Sequence, residues 1–287
     1  MTPGAREAAT VLLVRDAPDL EVFMLRRNLE SAWNGGVFVF PGGAVDPGDR
    51  DDDLVARCLE RDDHEASRRI GHARGGLGYW IAAIREAFEE AGVLLARHAD
   101  GRPLDPTDAT WVRLTEARDA LNAGDLAFRT IIEEEALVLD TGALHLVSHW
   151  VTPPGQLRRY DTWFFVAHAP AGHTYEHDAV ETVASVWWRP ADAIAANDRG
   201  EIGLILPTRR SLEALAAFTD AASVVEHARR VGGDGSQRTP MIGRRDGEWI
   251  AAPDDPGATV RRPSSRSGSR SGSRPSCGVS SPRTRAT

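Results

Sequence analysis

The chain has 287 residues, of which 41% are hydrophobic and 26% charged, and its net charge is −8. This composition is ordinary for a globular protein, without the run of about 18 apolar residues that a membrane span needs and without the apolar core of a signal peptide. Its two cysteines, Cys58 and Cys277, are too few for a disulfide framework, so we expect a cytoplasmic protein.

The predicted elements alternate between strands and isolated helices. Hydrophobic periodicity and turn residues place them in this order along the chain: strands Ala8–Arg15, Leu20–Arg27 and Val37–Phe40, helices Leu54–Ile70, Tyr79–Arg97, Trp111–Leu121 and Leu126–Leu137, strands Leu144–Val151, Tyr160–His168 and Val183–Arg189, a short helix from Pro190, and a last helix from Pro207 to about Arg230. Strands before, between and after helices predict an α+β fold in which helices cover a mixed sheet.

The segment Arg85–Val93 carries the clearest chemical signal. In a helix, Glu86, Glu89 and Glu90 fall on one face, while apolar residues at helical spacing form a different face. Three carboxylates within one turn repel one another by a few tenths of a kcal/mol per pair, and a divalent cation reverses that sign because Mg²⁺ and Mn²⁺ prefer carboxylate oxygens. The residues alone fit either a metal site or an acidic face exposed to solvent.

The context of this helix resembles a family signature. Gly43 is followed six positions on by Asp49, and Arg85–Val93 reads Arg-Glu-Ala-Phe-Glu-Glu-Ala-Gly-Val. This order resembles the box of the Nudix hydrolases, in which Gly, five residues, Glu and seven residues precede Arg-Glu-aliphatic-x-Glu-Glu-x-Gly-aliphatic. Here Asp49 stands at the position of the first Glu, and 35 residues separate it from Arg85, which amounts to an insertion of 28.

Two further stretches narrow the resemblance. Trp150–Pro153 and Arg158–Phe165, together with the interrupted box, resemble the Nudix branch of the peroxisomal coenzyme A diphosphatase type, over about residues 8–230. In a separate coenzyme A signature of this superfamily, Arg27 and Gly36 match, but Ala32 occupies the position of a second Arg.

The resemblance implies a fold and an activity. The fold is a Nudix-type α/β/α sandwich with a mixed β-sheet. The activity is hydrolysis of a pyrophosphate linkage with Mg²⁺ or Mn²⁺, in a small-molecule diphosphate substrate such as coenzyme A or an acyl-CoA. Nucleotide sugars and dinucleotides are alternative substrates. Carboxylates alone would repel an anionic diphosphate. A divalent cation bound to them would instead attract it and stabilise its negative charge.

The resemblance also implies site residues. Arg85, Glu86, Glu89 and Glu90 are the predicted catalytic residues: Glu86 and Glu90 as primary metal ligands, Glu89 as a further ligand or the base that orients water, and Arg85 as a brace of the loop through Asp49. The backbone of Gly43 is a further candidate ligand. The remaining predicted residues are Arg27, Arg159 and Tyr160 for substrate binding and Gly42, Asp49 and Gly92 for the structure of the box.

Other assignments stay open on the sequence alone. Glu176, Asp178 and Glu181 precede the last strand and are candidates for an additional ligand or base. A binding module with a degenerate box and an RNA-directed Nudix protein of the decapping type are the alternative classes; the intact glutamates argue against the first. A homodimer is compatible with the sequence.

The predicted organisation has three parts: a domain at 8–230 with an insertion at about 50–78, an extension at 231–260, and an Arg/Ser/Gly/Pro tail at 261–287 that we expect to be disordered. The tail contains seven Arg and no acid, so the remainder of the chain carries −15, which disfavours binding of nucleic acid. We expect the insertion to lie on the substrate side of the site, outside the core.

Overall fold

A computed structural model describes residues 4–28, 36–107, 109–152, 155–156, 158–173, 175, 182–232, 242–245 and 248–251. The predicted tail at 261–287, most of the extension at 231–260, and Glu176, Asp178 and Glu181 lie outside the described residues.

The described residues form twelve strands and eight α-helices. The strands are β1 Arg6–Asp16, β2 Leu20–Arg27, β3 Val37–Val39, β4 Gly42–Ala44, β5 Ala96–His98, β6 Leu137–Leu139, β7 His145–Val151, β8 Tyr160–His168, β9 Thr182–Trp188, β10 Gly203–Leu204, β11 Ile242–Arg245 and β12 Glu248–Ala251. The helices are α1 Asp52–Val55, α2 Asp63–Arg69, α3 Leu77–Ala91, α4 Ala109–Ala123, α5 Phe128–Glu134, α6 Pro190–Asp198, α7 Leu206–Leu215 and α8 Ala221–Val231, and 3₁₀ turns cover Pro47–Arg50 and Thr141–Ala143.

A mixed sheet forms the middle layer. Its strands run in the order β10-β3-β2-β1-β8-β7, with β4 paired to β1 and β9 paired to β2. The central pair β1 and β8 is parallel, whereas β2 and β4 pair with β1 in antiparallel fashion. The sheet is therefore mixed, as the sequence predicted.

Alternation along the strands creates two cores, because successive side chains of a strand point to opposite faces. On one face, Ala9, Val11 and Leu13 of β1 pack in a cluster with the apolar side of α3. On the other face, Leu12 and Val14 pack with residues of α6, α7 and α8. The two cores give the predicted α/β/α sandwich.

The helix that carries the glutamates ends earlier than predicted. Gly92 has a φ of +66°, a left-handed conformation that glycine adopts without steric cost, and the Val93 N–H turns back to the carbonyl of Ala87. The predicted continuation of the helix to Arg97 was wrong, since β5 begins at Ala96. The predicted helix Leu126–Leu137 is likewise shorter, because β6 takes up its last residue.

The predicted helix Leu54–Ile70 was also wrong, because it is interrupted between α1 and α2. The N–H of Leu59 donates to the carbonyl of Leu139, and the N–H of Leu139 donates to the carbonyl of Arg57. This stretch of backbone pairs with β6 and is thereby taken out of the helix. The predicted last helix is similarly divided, because the Asp220 carboxylate accepts from the Ser223 N–H and begins α8.

The insertion belongs to the core, which corrects the expectation that it lies outside. Leu54, Ala66 and Ile70 are at most 6% exposed and share one hydrophobic cluster with α3. In the described ranges, no residue between 51 and 76 lines the pocket that contains the acidic face of α3. The insertion supports α3, because its apolar residues belong to the same hydrophobic cluster as that helix.

We therefore expect Leu54→Ala to reduce the free energy of unfolding by about 2–5 kcal/mol, because it leaves a cavity in a closely packed core. Urea unfolding measures this change. Val112→Ala is the control, since Val112 is 59% exposed and its truncation should cost within about 0.5 kcal/mol. A loss below about 1 kcal/mol for Leu54→Ala would show that the insertion is peripheral after all.

Candidate active site

The helix that carries the acidic face, α3, is held in place by packing along its length and by a contact at its C-terminus. Every residue of α3 except Glu89 is buried, because the helix lies between the sheet and the helices of the insertion. At its C-terminus, Arg118 of α4 donates from Nε and Nη2 to the carbonyl of Glu89 at 3.0 and 2.9 Å. A guanidinium at this end complements the helix dipole and satisfies a carbonyl without an intrahelical partner.

Arg85 is the centre of the site. Its Nε and Nη2 donate to the two carboxylate oxygens of Asp49 at 2.8 and 3.0 Å, and Nη2 also donates to the carbonyl of Ala44 at 2.8 Å. Its Nη1 donates to Glu86 and Glu89, both at 2.9 Å. A guanidinium has five N–H groups, and these five contacts use them all.

The pairing of Arg85 with Asp49 is the contact that the sequence resemblance implied. Asp49 is 2% exposed, and one of its oxygens also accepts the N–H of Asp46 at 2.7 Å. The shorter Asp side chain therefore reaches the arginine despite the insertion that follows it. The contact fixes the loop between β4 and α1 against the helix.

The glycine turn approaches the same carboxylates. The N–H of Gly42 donates to the Glu90 carboxylate at 2.8 Å. A Cβ at Gly43 would lie 2.3 Å from Oε1 of Glu86, so only a residue without a side chain fits there. The sequence placed both glycines in the box; the structure gives the physical reason.

We expect Gly43→Ala to lower the rate of the hydrolysis that the sequence resemblance implies by roughly 10²-fold, because the new methyl group pushes the Glu86 carboxylate out of place. Steady-state kinetics of the purified protein would measure the change. Gly48→Ala is the matched control, since a Cβ at Gly48 meets no atom within 4 Å. Equal rates for the two variants would mean that the position of Glu86 has no bearing on turnover.

Burial dominates the electrostatics of the cluster. It raises the pKa of Glu86 to about 7, with a further contribution from the charge of Glu89, although Arg85 opposes the shift. Burial also raises the pKa of Glu89. The guanidinium of Arg85 is shared by the carboxylates of Asp49, Glu86 and Glu89, and a further cation close to them would stabilise their charged forms.

Within the described ranges, no group of three or more His, Cys, Asp and Glu side chains is already arranged to hold a metal ion. The Glu86 and Glu89 carboxylates both accept hydrogen bonds from the Arg85 Nη1. The donor chemistry nevertheless fits a hard divalent cation, since the three glutamates supply carboxylate oxygens next to the backbone of Gly42 and Gly43.

Across the described residues, no helix is long and apolar enough to cross a membrane.

A cavity of about 920 Å³ opens over the cluster. Glu86, Glu89 and Glu90 lie in its wall together with the Gly42–Ala44 strand. Apolar side chains form a second part of the wall, among them Phe40, Trp150 and Phe164. The volume lies in the range of pockets that enclose a whole small-molecule ligand.

Two of the three predicted substrate-binding residues line this cavity. Arg27 and Tyr160 are in its wall, whereas Arg159 is not; the Arg159 Nε donates to the carbonyl of Thr152 at 3.0 Å. The neighbour Arg158 lines the cavity instead. The Arg159 side chain turns to the Thr152 carbonyl, whereas Arg158 and Tyr160 on either side of it line the cavity.

The sequence interpretation missed two arginines, Arg6 and Arg158, that also line the cavity. A signal for Arg6 was present, since it precedes Ala8 and Thr10 at the period-two spacing of a strand face. No local signal identifies the apolar wall, because Phe40 and Phe164 look like ordinary core residues.

Comparison with known proteins connects this geometry to a family. The sequence profile of the NUDT19 Nudix domain matches residues 57–213, which is more than half of the chain. Acyl-coenzyme A diphosphatase NUDT19 from Gallus gallus is 30% identical, in a match that covers 75% of this chain and 68% of that protein. The chain is a member of the Nudix family, in its NUDT19 branch.

Further similarities agree with this assignment. Acyl-coenzyme A diphosphatase NUDT19 from Xenopus laevis is 26% identical, over 70% of this chain and 60% of that protein. The crystal structure of a Nudix hydrolase from Alicyclobacillus acidocaldarius matches the fold with a TM-score of 0.60 and 28% identity, covering 79% of this chain and 97% of that one. The chain spans 60–68% of the length of the NUDT19 proteins from Xenopus laevis, Gallus gallus and Homo sapiens.

Proposed function

We propose that this Nudix protein hydrolyses the pyrophosphate linkage of coenzyme A or an acyl-CoA with the help of a divalent cation. The observation that supports it most directly is the position of three glutamates and a glycine turn in the wall of a cavity large enough for a nucleotide-linked substrate. The similar proteins from Gallus gallus and Xenopus laevis are named acyl-coenzyme A diphosphatases.

Glu86 and Glu90 are the proposed ligands of the cation, with the backbone of Gly43 beside them. Both side chains are buried, and the Gly42 N–H already orients the Glu90 carboxylate. A divalent cation bound there supplies the positive charge that a diphosphate needs and lowers the pKa of water at the site. We assign Mg²⁺ or Mn²⁺ to this position, because both prefer oxygen donors.

Glu89 is the proposed group that orients the attacking water. Its side chain is 22% exposed, against 12% for Glu86, so it is the more accessible of the two to water in the cavity. Its carboxylate is aligned by the Arg85 Nη1 and its main chain by Arg118. These two contacts hold it in a fixed direction, which reduces the entropy lost when water is positioned.

Arg85 acts on the loop and the carboxylates and not on the substrate. Its five N–H groups are used within the protein, and its guanidinium stays protonated, so it serves neither as a phosphate ligand nor as a base. It is a positioning residue for Asp49, Glu86 and Glu89.

A panel of diphosphate compounds tests the proposal. Coenzyme A, an acyl-CoA, a nucleotide sugar and a dinucleotide are incubated with the protein and Mg²⁺ or Mn²⁺, and products are read by mass. We expect the two coenzyme A compounds to be cleaved at the diphosphate and excess chelator to stop the reaction. Cleavage of the nucleotide sugar or dinucleotide alone would overturn the assignment of substrate. We also propose a cytoplasmic location, because two cysteines are too few for a disulfide framework.

A further inference from the structure

The charges of the cavity are arranged in two zones. Glu86 and Glu90 are buried in its floor, while Arg6 and Arg158 are exposed at its edge. Arg85 cannot contribute to an anion at the edge, because all its donors are used in the floor. A ligand that fills the cavity therefore meets carboxylates in the floor and guanidinium groups at the edge, with Asp46 between them, 3.5 Å from Arg6 and 3.9 Å from Nη2 of Arg85.

The two edge arginines are brought together by the central strand pair. Arg6 begins β1 and lies opposite Tyr160, the first residue of β8, in the parallel register. The Arg6 N–H also donates to the carbonyl of Arg159 at 2.8 Å, next to Arg158. This backbone contact places the start of β1 beside the segment that carries the second arginine.

The edge arginines are accessible to a ligand. The Arg6 side chain is 65% exposed, and it forms an ion pair with Asp46 at 3.5 Å that is itself exposed. Exposed pairs of this kind contribute little stability, about 0–1 kcal/mol, so an anion with more charge can replace the carboxylate. A phosphate monoester carries about −1.5 to −2 at neutral pH and accepts hydrogen bonds from guanidinium groups in a planar, paired geometry.

We propose that Arg6 and Arg158 bind a phosphate monoester of the substrate that is separate from the diphosphate being cleaved. The inference rests on the proposed function, because the diphosphate has to occupy the floor. Coenzyme A has such a group on the 3′ oxygen of its ribose, and dephospho-coenzyme A is the same molecule without it. The arginine pair would thus distinguish between diphosphates by a phosphate group that does not react, and the binding energy of that group would raise specificity.

The first experiment compares two substrates that differ in one phosphate. The wild type is expected to show a kcat/KM for coenzyme A that is roughly 10- to 100-fold higher than for dephospho-coenzyme A, the range expected for hydrogen bonds to a charged group. Arg158→Gln and Arg6→Gln should each lower this ratio, mainly through KM for coenzyme A, and the double variant should bring it close to one. Arg229→Gln is the control, because Arg229 is 64% exposed and paired with Glu226 on α8, outside the cavity wall.

The second experiment does not depend on turnover. Binding of adenosine 3′,5′-bisphosphate and of adenosine 5′-monophosphate is measured by calorimetry for the wild type and the same variants. We expect the wild type to bind the bisphosphate more tightly than the monophosphate. The double variant should bind the two nucleotides equally.

The outcomes separate the two ideas. If no diphosphate is hydrolysed but the bisphosphate preference disappears with the arginines, the proposed function fails and the anion site stands. If coenzyme A is hydrolysed and the double variant keeps the wild-type ratio and the wild-type preference, the anion site is wrong. An equal loss for both substrates in each variant would also overturn it, because the arginines would then act on the diphosphate or on the fold.

Discussion

Replacing Glu90 with Gln is expected to reduce the rate of hydrolysis about 10³-fold while leaving the fold intact, because it removes one ligand charge from the proposed cation site. The amide has the size of the carboxylate, and its oxygen can still accept the hydrogen bond that the Gly42 N–H gives to Glu90 at 2.8 Å. The loss should therefore appear in kcat and in the concentration of Mg²⁺ or Mn²⁺ needed for half-maximal activity, and not in the melting temperature.

The matched control for this variant is Glu134→Gln, which makes the same change on an exposed position of α5. Turnover of Glu134→Gln should equal that of the wild type. If Glu90→Gln kept near-normal turnover, or if the wild type worked equally well in excess chelator, the acidic face of α3 would not be the metal site.

Replacing Arg85 with Met is expected to lower the free energy of unfolding by about 3–5 kcal/mol and to abolish activity, because it leaves buried carboxylates without their partner. Arg85 is 8% exposed at its side chain and Asp49 is 2% exposed, so water cannot take over the lost hydrogen bonds. Urea unfolding at neutral pH and steady-state kinetics measure the two effects.

A double-mutant cycle identifies the cause. Asp49→Asn in the Arg85→Met background removes the charge of a buried carboxylate that has lost its partner. This second change should restore part of the free energy of unfolding. Arg199→Met is the control, because the side chains of Arg199 and its partner Glu201 are 58% and 55% exposed, and an exposed pair contributes about 0–1 kcal/mol. Additive effects of the two changes at Arg85 and Asp49 would contradict direct coupling between them.

Several features could be predicted from the sequence because their signals are local. The bounds of β2 and β8 agree with the predicted strands Leu20–Arg27 and Tyr160–His168, since β-branched and aromatic residues there are bounded by turn residues. The helix spacing of Glu86, Glu89 and Glu90 likewise follows from the chain alone. Arg85 and Asp49 were paired from the family resemblance, although 36 positions separate them.

Other features depended on contacts that no short window contains. The Leu54–Ile70 segment has helical periodicity, yet its middle pairs with β6 because that strand offers backbone partners from more than 75 residues further along the chain. The core position of the insertion follows from the same packing, since its small apolar stripe fits against α3.

The sequence by itself determined the main strands of the sheet, the acidic face of α3 and the glycines that let the backbone approach it, because periodicity and backbone freedom are properties of neighbouring residues. The tertiary structure decided which arginines face the cavity and which residues of the insertion are buried. Arg158 lines the cavity and Arg159 does not, since the Arg159 guanidinium donates to the Thr152 carbonyl, a backbone partner seven residues away that the sequence pattern does not show.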